Sequence, residues 1–292
     1  VVSAVRKDKN LSSAQMGTET LSIKNIEKLP VIFGEKDVLK TIQLLPGIKS
    51  TGEGSSGFSV RGGAPDQNLI LLDEAPVYNA SHLLGFFSTF NSDALKDASI
   101  IKGNSPARYG GRLSSVMDVR MKEGNNQDYK VNGGIGLISS RMSVEGPIQK
   151  EKSSFIVSGR RTYADVFLKA TDDLKDSKLY FYDLNLKANY QINENNRLYL
   201  SGYFGRDVLG LGNTFATDWG NTTATLRWNS IVSSTLFSNT SFIYSNYDYN
   251  VSLQSNDNVF GLDSKIRDWN LKQDFSWFAE NNHSVKFGLQ SI

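Results

Sequence analysis

The chain has 292 residues, with 32 Lys plus Arg against 30 Asp plus Glu and a net charge of +2, a balance that argues against charge-driven attachment to nucleic acid. It has no cysteine and only two histidines, His82 and His283, which removes disulfides, thiolate metal sites and cysteine nucleophiles and leaves little imidazole for acid–base or metal chemistry. At about 150 residues per domain the length allows one large domain or two modest ones.

The start, Val1-Val2-Ser3-Ala4-Val5, is a β-prone string without the order of a signal peptide, and the missing initiator Met suggests a cut chain. A polar stretch, Arg6 to Thr20, follows. The spacing then predicts a helix over Glu35 to Leu45, with Val38, Leu39, Ile42 and Leu45 on one face, acids in the first turn and Pro46-Gly47 as its stop. Strands are predicted at Phe58 to Arg61, Leu69 to Asp73, Ala98 to Lys102 and Ser115 to Met121, with a short helix after Ser92. This first part reads as a mixed α/β domain.

Three features here suggest chemistry, and each has a plainer explanation. Gly52-Glu53-Gly54-Ser55-Ser56-Gly57 matches G-x-G-x-x-G, but a strand follows it where a dinucleotide site needs a helix, so it reads as a flexible loop. Asp66, Asp73 and Glu74 lack a base or nucleophile at a recognisable spacing and read as surface acids. His82, next to Ser81, reads as a structural or loop histidine.

Composition changes near residue 122. Residues 1–122 hold five of six prolines and seven of 32 aromatics, whereas the last 145 residues are free of proline, which permits continuous sheet. The period becomes two. Leu184, Leu186, Ala188, Tyr190 and Ile192 alternate with Asn185, Lys187, Asn189 and Gln191, and similar runs cover 222–229, 271–277 and 284–289. From Tyr129 onward nine strands are counted if Ile138 to Ser140 is a tight turn.

Short polar connections are predicted at Gln149–Ser153, Asn193–Asn196, Val232–Ser234 and Glu280–Asn282. Longer ones are predicted near Lys169–Lys178, Leu209–Asp218 and Asn250–Asp263. One short-turned end and one long-looped end fit an outer-membrane barrel. A soluble sheet with one wet face alternates equally well. Tyr180-Phe181-Tyr182, Trp219, Tyr247, Tyr249, Trp269 and Trp277-Phe278 could form interface girdles or pack on a sheet face. No run approaches the roughly 18 apolar residues of a membrane helix, but a barrel strand needs only about ten alternating residues.

Two segments are more specific. Ser59-Val60-Arg61-Gly62-Gly63 followed by Leu69 to Asn79, and then Ala98 to Val116 with Lys102-Gly103-Asn104-Ser105-Pro106-Ala107-Arg108-Tyr109-Gly110-Gly111-Arg112, resemble the two signatures of the plug domain of TonB-dependent outer-membrane receptors. The stretches Gly34 to Gly47 and Gly85 to Asn91 look like the SusC-like subgroup, which carries a carboxypeptidase-regulatory-like domain before the plug.

The resemblance implies an α+β plug domain followed by antiparallel transmembrane β-barrel strands, a truncated part of a 22-stranded barrel. The expected division is 1–21 as a TonB-box-like segment and linker, 22–124 as plug, and 125–292 as the first nine or so barrel strands. The expected motif residues are Arg61, Gly62, Gly63, Asp73, Pro76, Gly103, Pro106, Arg108, Tyr109, Gly110, Gly111 and Arg112. Their glycines permit tight turns, and Arg61, Arg108 and Arg112 are candidates for charge-assisted hydrogen bonds to a polar lumen. Ser99 stands where many members carry glutamate and Glu74 where many carry glycine, which weakens the expectation of the usual plug–barrel ion pairs.

The implied function is TonB-dependent transport of a scarce ligand (siderophore, cobalamin, glycan or peptide) across the outer membrane of a Gram-negative bacterium, without enzymatic activity or cofactor. Val1, Val2, Ser3, Ala4 and Val5 lie where the family carries its TonB-binding strand. The implied partners are TonB and outer-membrane lipid, with a surface lipoprotein lid as a further candidate. The alternatives are a receptor-like scaffold that transports nothing and a soluble ligand-binding β domain.

Overall fold

The computed structural model describes residues 17–23, 36–52, 55–172, 174–212, 214–255, 258–280 and 283–292. The first part holds β1 (Thr18–Ser22), α1 (Val38–Ile42), β2 (Ile48–Ser50), β3 (Phe58–Val60), β4 (Asn68–Leu72), β5 (Ala75–Pro76), β6 (Ser81–His82), β7 (Phe87–Ser88), β8 (Leu95–Lys102) and β9 (Ser115–Met121). Its main sheet has the order β1-β8-β9-β4-β5, in which only β4 and β9 run parallel. Thr18 to Leu21, expected in the linker, therefore belong to a plug strand.

Helix α1 begins at Asp37, whose carboxylate accepts the Leu39 and Lys40 amides at 2.8 and 3.1 Å, a capping arrangement that satisfies two otherwise unpaired donors. Val38, Leu39 and Ile42 are buried as their spacing requires. The helix is shorter than predicted, and Glu35 lies outside the described residues. After Ile42 the Leu44 and Leu45 amides bond back only three residues, tightening the chain ahead of Gly47 at φ +80°. The segment after Ser92 is a single 3-10 turn, Ser92–Ala94, capped by Asn91.

The second part holds β10 (Lys130–Ile135), β11 (Ser139–Gln149), β12 (Ser153–Thr162), α2 (Ala164–Leu168), β13 (Lys178–Asn193), β14 (Asn196–Leu211), β15 (Phe215–Ile231), β16 (Leu236–Ser255), β17 (Asn258–Glu280) and β18 (His283–Ser291). Strands β10 to β18 form one antiparallel sheet in chain order, the nine strands predicted, with the turn at 136–138 between the first two. Pro147, the one proline of this part, sits at a register shift near the end of β11, where a missing amide is tolerated.

Two predicted long connections are absent. Strands β14 and β15 are joined across 212–214 and β16 and β17 across 256–257, so the polar, glycine-containing segments around them are sheet. Both neighbours pair with β14, β15 and most of β16 here, and β16 alone pairs with the start of β17, so ladder bonds hold a sequence whose composition alone suggests a loop. The connection 163–177, which contains α2, is long as expected. Strands β16 and β17 run 20 and 23 residues, about twice what a tilted strand needs to cross a bilayer.

Alternation decides which face is which. Leu184, Leu186 and Tyr190 are exposed, whereas Asp183, Asn185, Lys187 and Asn189 are buried against the first part of the chain. The apolar side therefore faces outward and the polar side faces the plug. Among the aromatics predicted to lie in girdles, Tyr182, Trp269 and Trp277 are exposed, but Phe181 and Trp219 point inward and are buried.

The chain lacks cysteine, so an introduced thiol is unique in it. In the full-length membrane-embedded protein, Leu186→Cys should react with a lipid-soluble maleimide and not with a charged one, while Asn185→Cys should react with neither. Rapid labelling of Leu186→Cys by the charged reagent would overturn the assignment of the outward face.

Candidate functional site

The plug core is apolar and almost wholly its own. Of the buried residues clustered around Leu39, Ile42, Phe58, Leu95, Ile100 and Met117, only Tyr203 comes from the large sheet. A smaller apolar contact brings Leu83 and Phe87 onto Phe181. The rest of the seam between the two parts is polar, and the segment from Asp73 to Ser88 carries much of it.

Asp73 and Glu74 turn the chain after β4 with φ of 44° and 77°, a left-handed conformation that carboxylate residues tolerate only when held. Here Asp73 is held from both sides. One carboxylate oxygen accepts the Met121 amide at 3.2 Å, and Lys187 Nζ from β13 lies 3.1 and 3.0 Å from the two oxygens. Lys187 also donates to the Met121 carbonyl at 3.0 Å. Asp73 is therefore a buried acid rather than a surface one.

Glu74 pairs with Arg227 at 3.2 Å and Lys272 at 3.8 Å, and Arg227 stacks on Tyr199 at 4.5 Å. These contacts correct the expectation drawn from Glu74, because this residue itself makes plug–barrel ion pairs. Next, Ser245 donates to the Pro76 carbonyl at 2.6 Å, Asn221 receives the Tyr78 amide at 3.2 Å and donates to the Asn79 carbonyl at 2.7 Å, and the Tyr78 hydroxyl donates to Asp268.

His82 closes the series. Its Nδ1 lies 2.6 Å from Asp207, and its Nε2 lies 3.1 Å from the Tyr203 hydroxyl and 3.4 Å from Asp183. The Leu83 amide donates to the other Asp207 oxygen at 2.7 Å, and the ring stacks on Phe181 at 4.1 Å. Arg160 Nε and Nη2 donate to Asp183 at 2.9 and 2.5 Å, and Nη2 also reaches the Ser88 carbonyl at 2.8 Å.

Two buried carboxylates thus face one guanidinium, and only an imidazolium at His82 balances them. Burial opposes that charge, but Asp207 and Asp183 outweigh it and raise the His82 pKa above its ordinary value. His82 is the structural histidine expected, with an ionic role that a single sequence position does not reveal.

The other motif residues gather at the β3–β4 and β8–β9 turns. Arg61 and Gly62 have φ of 50° and 83°, and a Cβ on Gly63 would lie 2.4 Å from Ser114 Oγ, so only glycine fits there. Gly103 at φ 75° lies against the Arg61 guanidinium, bringing the two signatures together. Arg108 stacks on Tyr109 at 4.8 Å, the Tyr109 amide bonds the Pro106 carbonyl, and Arg112 bonds the Gly111 carbonyl beside Gly110. Among the described residues none of Arg61, Arg108 and Arg112 bonds a residue of the nine-stranded sheet. Val1 to Val5 and two residues of the glycine-rich loop, Glu53 and Gly54, lie outside the described residues.

The residues that sequence reasoning missed are Arg160, Asp183, Asp207, Arg227, Asp268 and Lys272. Their signal is a charge on the non-lipid side of an alternating strand. Their partners stand too far away in sequence to be paired without a structure. Among the described residues no group of three or more His, Asp or Glu could hold a metal ion. The chemistry of the seam is ion pairing, which fastens one domain to the wall of another.

Residues 11–116 match the family described as TonB-dependent Receptor Plug Domain. The ferrienterobactin receptor of Escherichia coli K12 is 28% identical over 129 residues, which cover 38% of this chain and 17% of that protein. The ferric enterobactin receptor of Pseudomonas aeruginosa is 24% identical over 182 residues, covering 54% and 24%. A crystal structure of a mutant of the latter aligns with 97% of this chain and 49% of its own at a TM-score of 0.70 and 16% identity. A copper transporter aligns at 0.69 and 12% identity, covering 94% and 45%. The chain thus spans about a quarter or less of these curated relatives and about half of the solved chains. Residues 11–116 thus match the plug domain of TonB-dependent receptors, and the chain shares the fold of these solved outer-membrane proteins.

Proposed function

We propose that this chain forms the plug and adjoining wall of a receptor that takes a siderophore-like ligand across the outer membrane with energy supplied through TonB. The observation that carries this is the seam itself: a folded plug is fastened to a strand wall by buried ion pairs at Asp73 and His82 and a half-buried one at Glu74 instead of by a shared apolar core. Opening the seam returns both members of each pair to water together, which offsets much of their mutual attraction, as a plug that must move requires. The ligand class is supported by the two enterobactin receptors among the relatives.

In this proposal Val1 to Val5 is the segment to which TonB adds a strand, drawing its affinity from main-chain bonds. The stretches Gly34 to Gly47 and Gly85 to Asn91 support placement in the subgroup with a preceding carboxypeptidase-regulatory-like domain and a lipoprotein lid.

The test uses cells expressing the full-length receptor and a radio-iron-labelled catecholate siderophore. Uptake should stop when the proton-motive force is collapsed, and in Val2→Pro or Ala4→Pro, while equilibrium binding at the surface persists. Uptake that survives both treatments, or binding never followed by uptake, overturns the proposal, and the second outcome identifies a scaffold.

A further inference from the structure

Residues directly opposite each other in an antiparallel ladder share a face, so the inward surface of the wall can be followed from strand to strand. One inward row, Ser154, Asn189, Tyr199, Arg227, Ser241 and Lys272, carries two cations. Lys187 stands one inward row above, beside Ser201, Thr225, Ile243 and Asn270, and successive inward rows lie about 7 Å apart along the strands. Three cations therefore form one belt. Their plug counter-charges come from a single turn: Asp73 pairs with Lys187 at 3.0 Å, and Glu74 pairs with Arg227 at 3.2 Å and Lys272 at 3.8 Å. Movement of that turn strips the belt of both plug carboxylates at once.

The wall itself offers these cations little compensation. Asp274, 3.0 Å from Lys272, is the one wall carboxylate paired with them among the described residues, while Asp183, Asp207 and Asp268 stand in rows above the belt. The wall also carries more hydrogen-bonding capacity than the plug uses. Arg227 Nε, Thr225 Oγ1, Asn270 Oδ1 and both amide atoms of Asn185 are buried and find no partner among the described residues. Buried polar groups left unmatched are costly, and a face that only fastened the plug would have no use for them. A second polar occupant uses them, and the charge of the belt requires that occupant to be anionic.

We propose that Lys187, Arg227 and Lys272 form a latent anion site: when the turn at Asp73 and Glu74 leaves, they receive the charged groups of a passing ligand that bears several negative charges. The plug acids hold the same cations in the ligand's absence. Such an exchange never leaves the ammonium and guanidinium groups unpaired in a confined space, where an uncompensated charge is strongly unfavourable, and the Arg227 fork is suited to paired anionic oxygens. The inference rests on the transport proposed above and deepens it by assigning the ligand's charge class.

The test uses energised cells carrying the full-length receptor with Ser241→Cys as its sole cysteine, a radio-iron-labelled catecholate siderophore, and two methanethiosulfonate reagents of similar size, one anionic and one cationic. Ser241 lies between Arg227 and Lys272 and is 1% exposed, so labelling reports departure of the plug turn and the ratio of the two rates reports the local charge. The anionic reagent should react about tenfold faster, the low end of what a cleft lined by one sign of charge does to local ion concentration. Arg227→Gln with Lys272→Gln should equalise the rates, whereas Arg227→Lys with Lys272→Arg should keep the preference; a loosened plug raises both rates and leaves their ratio alone. Ser245→Cys, opposite Asp268 on the same strand, should show no anionic preference. Equal rates at Ser241→Cys, or a preference that survives the double Gln variant, overturns the proposal. Absence of labelling while iron uptake proceeds overturns it and leaves the transport proposal standing, whereas absence of both labelling and uptake removes the two together.

Discussion

Lys187→Met should loosen the plug by about 3 to 5 kcal/mol, the cost of leaving one member of a buried ion pair without its partner. Asp73 and Lys187 are 6% and 3% exposed, so water cannot replace the lost ammonium without opening the seam. Asp73 is also held in a left-handed turn by the same contact, and its release should destabilise the start of β5. Limited proteolysis of the full-length receptor should show early cleavage between residues 73 and 88, and the plug should unfold at lower urea than the barrel. Adding Asp73→Asn to Lys187→Met removes the stranded charge and should recover most of the loss, since neutral replacements of a buried pair are often tolerated. Wild-type resistance in Lys187→Met alone would show that the plug is fastened elsewhere.

The anchorage at His82 should depend on pH in a defined direction. Its pKa lies above the ordinary value of 6.5 in the folded protein because Asp207 and Asp183 outweigh the burial that disfavours its charge. A raised folded-state pKa contributes stability that is fully present below about 6.5 and is lost as pH rises through the elevated value. The groups facing the ring are Asp207 and Tyr203 on β14, Asp183 on β13 and Arg160 on β12, with Asp37 of the plug bonding the Ser88 amide beside Arg160. Plug stability should therefore fall toward alkaline pH with a slope approaching one proton, about 1.4 kcal/mol per pH unit. His82→Gln should be less stable than wild type near pH 6 and should flatten that slope. An unchanged slope in His82→Gln would assign the titration to another group.

Much of the architecture was legible in the residues. The period-two runs located nine strands and their outward face, since lipid on one side and a polar plug on the other impose opposite demands on neighbouring residues. Four of the nine plug strands, β3, β4, β8 and β9, were found within a few residues, because glycine and proline mark their ends. Two things were not legible. The extended ends of β14 to β17 were read as loops, because glycine and asparagine there mimic turn composition and cross-strand pairing leaves no local trace. The seam was missed because Asp73, Glu74 and His82 are ordinary polar residues until folding brings Lys187, Arg227 and Asp207 against them from over 100 positions away.

The long β16–β17 hairpin has a consequence for anything that meets it. With 20 and 23 residues in its two strands, and about ten needed to cross the hydrocarbon, roughly half of it stands outside the bilayer as laddered sheet. A flexible loop of that length loses conformational freedom when it closes on a visitor, at about 1 to 2 kcal/mol per fixed backbone residue. This segment has already lost that freedom during folding. Contact with it is a meeting of preformed surfaces, so selection there rests on shape and chemistry, with little entropic penalty charged to the encounter.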